Sequence, residues 1–243
     1  MRVAAGLLLG AIAGSFLGAI LIRWPQGRSM LTGRSQCDAC QATLRAHELV
    51  PILSYTVRRG RCGRCGAAID SRHLAMEVGA AIVGAVALAA HDGLAGPIAA
   101  LLGWWLLLLA ALDVEHHWLP DRLTLPLLPA GLLVGWLGVG PPLADRAVGA
   151  IAGFAILWGI GRAYHAWRGR EGLGGGDPKL LAALGAWLGW QQLPFILLGA
   201  GIFGLLALLA TRMRGGAIAA TDRLPLGTLM AVTAWPLWIA AGS

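Results

Sequence analysis

The stretch Gly96-Pro-Ile-Ala-Ala-Leu-Leu-Gly-Trp-Trp-Leu-Leu-Leu-Leu-Ala-Ala-Leu112 runs for 17 residues without a charge and stops at Asp113. About 20 apolar residues cross a bilayer, so this run reads as a membrane span. Moving outward, similar runs bounded by polar residues, Pro or Gly occur at 3–22, 74–91, 123–139, 147–161, 179–190, 194–210 and 225–241. The run at 179–190 is short enough to be a half-span or a re-entrant helix. The whole chain agrees: of 243 residues 57% are hydrophobic and 13% charged. Soluble domains are about 45–50% apolar and roughly 25% charged, so a soluble globular protein is excluded. The fold class expected is an all-α polytopic membrane protein of about eight transmembrane helices with one small polar insertion. Its parts are a first transmembrane helix (1–22), a cytoplasmic insertion (23–73) and a membrane-embedded portion of about seven helices (74–243).

The net charge of +7 raises nucleic acid as a partner until the charges are placed. With spans alternating in direction, 17 of the 19 basic residues fall on one face, nine of them between the first two spans. Arg34 and Arg223 are in that set, and Arg2 and Arg146 alone lie opposite. The positive-inside rule makes the rich face cytoplasmic. The basic excess is therefore topology, the partner it implies is the lipid bilayer, and no nucleic acid is needed. Gly6, Gly10, Gly14 and Gly18 recur every four residues along the first span, which reads as a helix-packing seam.

The insertion holds Cys37-Asp-Ala-Cys40 and Cys62-Gly-Arg-Cys65, with 21 residues between the pairs. Two C-x-x-C knuckles suit one tetrahedral zinc ion, because each turn presents two thiolates. Disulfides are the alternative, and the reducing cytosol argues against them. Four thiolates leave no open position, so the expected zinc is structural.

Asp113 ends one span, and Gly174-Gly-Gly-Asp177-Pro178 leads into another. Both lie on the cytoplasmic face, where two carboxylates sharing a proton could activate water, as in aspartic proteases. Asp177 before Pro178, and Asp121 before 123–139, also read as N-caps. Asp113 has no capping role, since the dipole at a helix C-terminus disfavours its charge. The dipoles further suggest that Asp113 holds the shared proton while Asp177 stays ionised. Three glycines before Asp177 would let backbone approach a bound peptide. Glu77, His116 and His117 are weaker candidates, read as a possible functional carboxylate and an interfacial loop.

Taken together these motifs resemble the bacterial type IV prepilin peptidases, membrane aspartic proteases with a G-x-G-D motif. Gly14-Ser-Phe-Leu-Gly-Ala-Ile-Leu-Ile-Arg-Trp-Pro25 is similar to the family's opening G-S-F-L-N-x-x-I-x-R-x-P, and the knuckles enclose Glu48-Leu-Val-Pro-Ile-Leu-Ser-Tyr55. The region from Asp113 to Leu119-Pro-Asp-Arg-Leu-Thr-Leu-Pro126 resembles D-x(6)-L-P-D-x-L-T-x-P, and Gly174-Gly-Gly-Asp177 matches G-x-G-D. The resemblance implies an inner-membrane enzyme that cuts the leader from type IV prepilin or pseudopilin precursors after a glycine, on the cytoplasmic side. It further implies methylation of the new N-terminus from S-adenosylmethionine, with Asp113 and Asp177 catalytic and Cys37, Cys40, Cys62 and Cys65 holding zinc. Gly18 stands where the family usually has Asn, and Pro178 where an aromatic is common. A G-x-G-D protease without methylation and a non-enzymatic zinc-anchored scaffold or transporter are the competing readings.

Overall fold

The computed structural model describes residues 1–28, 35–215 and 224–241, so Arg34 and Arg223 lie outside the described residues. The helices are α1 (Arg2–Arg23), α2 (Leu53–Val57), α3 (Ser71–Ala90), α4 (Ala95–His116), α5 (Asp121–Trp136), α6 (Leu143–Arg168), α7 (Asp177–Leu188), α8 (Leu193–Met213) and α9 (Leu226–Ala241). Among the described residues the only β pairing is two isolated antiparallel bridges in the insertion, Gln36 with Thr43 and Arg61 with Ala68.

Each of the eight apolar stretches forms a helix, but five are long and apolar enough to cross a membrane: α1 with its following turn, α3, α4, α6 and α8 with its preceding turn. A residue adds about 1.5 Å, so α5 and α9, with 16 residues each, reach about 24 Å, and the 12 residues of α7 about 18 Å, against a hydrocarbon core of about 30 Å. Among the described residues five helices are thus long and apolar enough to cross, and the count of about eight is not confirmed. Pro126 and Pro129 lie within α5 and Pro236 within α9, both of which continue past them, and α7 stops at Gly189, whose φ of 81° favours glycine.

The chain divides into two compact units, Met1–Leu108 and Leu109–Ser243, with the division inside α4. In the first unit, α1 lies against α3 along the glycine seam. A Cβ added at Gly6, Gly10 or Gly14 would collide with the carbonyl oxygens of Gly84, Ala80 and Met76. Lipid offers no hydrophobic drive between helices, so close backbone packing is what holds such a pair together. Trp104 donates from its indole to the Ala80 carbonyl at 2.8 Å, tying α4 to the same helix. Leu7, Leu8, Ile12 and Phe16 stay exposed on α1, an apolar surface suited to lipid.

In the second unit α7 is buried at every residue but Lys179. Gly149 and Gly153 of α6 lie so close to Gly185 and Leu181 of α7 that a Cβ on either would strike backbone. Gly131 brings α5 to Ala186 in the same way. Where these helices end, Arg146 is fully buried with no carboxylate beside it. Its guanidinium donates to the carbonyls of Pro141 (2.9 Å), Gly131 (2.8 Å), Ala186 (3.2 Å) and Val139, and lies over the Trp238 ring at 5.5 Å. Five fixed N–H donors in a planar fork satisfy several carbonyls at once, here one within α5, two in the turn after it and one in the last turn of α7.

Candidate functional site: a four-thiol centre and a buried carboxylate pair

The insertion, in the first unit, folds as two copies of one knuckle. In the first, the Cys37 N–H donates to Ala42 at 3.0 Å and the Gln41 N–H returns to Cys37 at 2.9 Å. In the second, the Cys62 N–H donates to Ala67 at 2.8 Å and the Gly66 N–H returns to Cys62 at 3.0 Å. Gln41 and Gly66 take equivalent left-handed conformations, with φ of 55° and 72°. The turns bring all four thiols to one point, their sulfurs within 4.8 Å of one another and those of Cys37 and Cys65 at 3.9 Å. Zn–S bonds of about 2.3 Å in a tetrahedron put sulfurs about 3.8 Å apart, so the donor set fits one zinc ion.

The thiols also show why a cation belongs there. The N–H groups of Cys65 and Arg64 draw the Cys62 thiol down to about 6. The Ala67 N–H pulls on Cys65 too, but the neighbouring thiols, Cys40 foremost, outweigh it and push Cys65 up to about 11. Four thiolates cannot ionise together in this space without a positive charge among them. Among the described residues no other group of His, Cys, Asp and Glu is arranged to hold a metal, so His116 and His117 form no site.

Asp113 and Asp177 both belong to the second unit, and both are buried, at 5% and 8% exposure. Asp113 sits one turn before the end of α4, and Asp177 is the first residue of α7. Between them lies Leu119: a Cβ on Gly176 would be 2.6 Å from Leu119 Cβ, and one on Gly227 would be 2.7 Å from Leu119 Cδ1 and 3.0 Å from Asp113 Oδ2. Leu119 thus packs on the glycines next to both carboxylates, Gly176 beside Asp177 and Gly227 beside Asp113.

The capping readings do not hold. Gly176, not Asp177, occupies the N-cap of α7, and the Asp177 carboxylate accepts backwards, from the Gly174 N–H at 3.1 Å. Asp121 likewise starts α5 after Pro120 and makes no side-chain cap; it pairs with Lys179 at 2.6 Å. Only part of the glycine run faces open space: Gly175 does, while Gly176 admits Leu119.

Sequence reasoning missed Thr228, the third residue of α9. Its N–H donates to Asp113 Oδ2 at 2.8 Å, and its hydroxyl donates to the Ala110 carbonyl at 2.9 Å while lying 3.3 Å from the same Oδ2. The N-terminus of α9 therefore answers the unfavourable dipole of α4. The expectation that Asp113 holds the shared proton rested on the dipoles at both carboxylates, and the α9 donors offset the one at Asp113. A lone Thr after Pro225-Leu-Gly227 carries no mark of this in its spacing.

Residues 100–209 match the model of the type IV leader peptidase family, and residues 8–91 that of the bacterial peptidase A24 N-terminal domain. The chain belongs to the type IV leader peptidase family. The first match contains Asp113 and Asp177, and the second contains all four cysteines. The chain is 42% identical over 214 residues to the prepilin leader peptidase/N-methyltransferase of Aeromonas salmonicida (strain A449), covering 85% of this chain and 71% of that protein. It is 38% identical over 262 positions to the protein of that name from Burkholderia pseudomallei (strain 1026b), covering 95% and 83%. For Pseudomonas putida the figures are 34% over 252 positions, 94% and 87%. No solved structure matches the chain significantly. One departure of this family member has a visible counterpart: a Cβ on Gly18 would lie 3.1 Å from Nδ1 of His73, so an imidazole fills the space beside the position usually held by Asn.

Proposed function

We propose that this member of the family cleaves the leader from type IV prepilin or pseudopilin precursors after a glycine, at the cytoplasmic face of the bacterial inner membrane. It then N-methylates the new N-terminal residue. The observation that supports the proposal is a pair of buried carboxylates, Asp113 and Asp177, whose neighbours Gly227 and Gly176 both pack on Leu119. Two such groups hold one proton between them. The ionised one takes a proton from water as the water oxygen attacks the scissile carbonyl carbon. The protonated one gives its proton to the carbonyl oxygen, and collapse of the tetrahedral intermediate passes a proton to the leaving amine.

The peptidase chemistry is assigned to 74–243, with 1–22 as its leading helix and 23–73 as the zinc-binding insertion. Cys37, Cys40, Cys62 and Cys65 would hold the zinc as a structural cross-link of the insertion. S-adenosylmethionine would supply an electrophilic methyl group. Likeness to prepilin leader peptidase/N-methyltransferases supports both activities.

The test offers the purified protein a prepilin and follows its mass. Wild type is expected to remove the leader and add one methylene to the mature N-terminus. Asp113→Asn and Asp177→Asn should each lower the cleavage rate by about 1,000-fold or more, as loss of one member of a catalytic unit does. An intact precursor with wild type, or unimpaired cutting by either variant, overturns the reading.

A further inference from the structure

Between the two knuckles, the nine residues 49–57 (Leu-Val-Pro-Ile-Leu-Ser-Tyr-Thr-Val) carry no charge. Leu49, Val50, Leu53 and Val57 are exposed, the last at 73%, on a segment that turns at Ile52 and continues as α2. Apolar side chains gathered on one short exposed segment mark an interaction face. The turn is fixed to α3, because the Ile52 N–H donates to Oε2 of the buried Glu77 at 2.6 Å. Ile52 has a φ of 62°, a strained value for a β-branched residue, and this bond holds the reversal in place.

That bond sets a depth. Glu77 lies six residues inside α3, about 9 Å along its axis. Gly14 of α1 packs against Glu77 at the same level, nine residues before α1 ends at Arg23. Both helices are long and apolar enough to cross a membrane, so the turn at Ile52 lies beside the first turns of a span. A helical side chain leans toward the N-terminus of its helix, which puts the turn at the shallow edge of the hydrocarbon rather than its middle. Backbone at that depth must satisfy its own polar groups. The N–H of Leu53 donates to Pro51 at 2.6 Å, that of Ser54 to Val50 at 3.0 Å and that of Thr56 to Ile52 at 3.0 Å. Thr56 is the one exposed polar residue of the segment, and its hydroxyl donates to the Ile52 carbonyl at 2.7 Å.

The flank of the segment is basic. Residues 23–73 hold nine arginines and three acids, Asp38, Glu48 and Asp70. Each acid is already paired, with Arg28, Arg58 and Arg72 in turn. Arg59, Arg61 and Arg64 follow α2, are exposed, and form no ion pair among the described residues. A zinc ion on four thiolates would carry about two negative charges, fewer than the arginines left over. We propose that 49–57 is a membrane anchor that does not span: its apolar face dips into the leaflet beside α3, and the arginines after it bind anionic phospholipid headgroups. By the positive-inside rule that leaflet is the cytoplasmic one. An apolar face with a basic rim is what an interfacial element needs, and each arginine near an anionic surface strengthens its hold. The anchor is independent of the peptidase and methylation readings, since it concerns how the insertion is seated and not what it catalyses.

The test places the wild-type full chain in bilayers of phosphatidylethanolamine and phosphatidylglycerol, doped with a phospholipid carrying a diazirine near the glycerol end of one acyl chain. After illumination the adducts are mapped by peptide mass. They are expected within 49–57 as well as along α1 and α3, and absent from the knuckle turns 37–42 and 62–67. Labelled α1 and α3 beside an unlabelled 49–57 overturns the anchor. So does labelling of 49–57 that an added prepilin suppresses in proportion to its binding, because the face then belongs to a protein substrate. Leu53→Glu combined with Val57→Glu should lower the yield at 49–57 about tenfold while α1 and α3 label as before, since a charge resists leaving water. An unchanged yield overturns the apolar contact. At equal mole fraction, a phosphatidylglycerol probe should label 49–57 about threefold more than a phosphatidylethanolamine probe, and Arg59→Gln, Arg61→Gln and Arg64→Gln together should remove the preference. Equal labelling by the two probes in wild type overturns the part given to the arginines.

Discussion

The backbone N–H of Thr228 points at Oδ2 of Asp113 across 2.8 Å, so the start of α9 acts on a carboxylate near the end of α4. The Thr228 hydroxyl pins the same turn to the Ala110 carbonyl at 2.9 Å, one helical turn before Asp113. Thr228 is a positioning residue for the proposed catalytic pair. Thr228→Val keeps the N–H but loses the hydroxyl, and should lower kcat for prepilin cleavage about tenfold with KM little changed. Thr228→Ser should recover most of that loss. A purely structural role would instead leave kcat intact and lower Tm in both variants.

Arg146 holds four carbonyls, of Gly131 in α5, Val139 and Pro141 in the turn after it, and Ala186 in the last turn of α7, and makes no ion pair among the described residues. Arg146→Met leaves buried acceptors unsatisfied and should destabilise the protein by about 3 kcal/mol or more. Arg146→Lys should recover little, since a point charge with three donors cannot reproduce a planar fork. Thermal unfolding in detergent measures both.

Removing zinc with a chelator should unfold the insertion before any membrane helix. The two bridges, Gln36 with Thr43 and Arg61 with Ala68, are held by knuckle turns that have little apolar core beneath them. Hydrogen exchange is expected to rise first at 36–43 and 61–68, while α6 and α7 stay protected. Acidification should release the ion as well, because the thiolates must take up protons.

Asp70 caps α3 by accepting from the Arg72 N–H at 2.9 Å, and the Arg72 guanidinium foremost holds its carboxyl below the usual aspartate range. A lowered folded value means that the contribution is complete above the ordinary aspartate range and fades as pH falls through the folded value. Asp70→Ala should therefore cost about 1 kcal/mol at neutral pH and much less in strong acid. Stability curves at the two pH values check the sign.

Much of this was legible in the chain. The apolar runs placed eight helices within a few residues, because a membrane span must satisfy its own backbone and so announces itself by composition. The glycine row announced a seam, since a residue without a Cβ every four positions is useful only where backbones touch. The cysteine spacing announced the metal centre for a similar reason: two thiols three residues apart on a tight turn have few other uses. Crossing length was less legible, because hydropathy counts apolar residues and not where a helix ends, as α7 does at Gly189.

By itself the sequence determined the membrane class, the helix positions, the four thiols and the identity of the two aspartates, all written in local composition and spacing. The tertiary structure alone decided that Leu119 packs on the glycines beside both Asp113 and Asp177, that Thr228 donates to Asp113, and that Arg146 ties α5 to α7 through Gly131 and Ala186. Each of those is a contact between residues far apart in the chain. Such contacts depend on which helix ends pack together, and no periodicity within one segment encodes that.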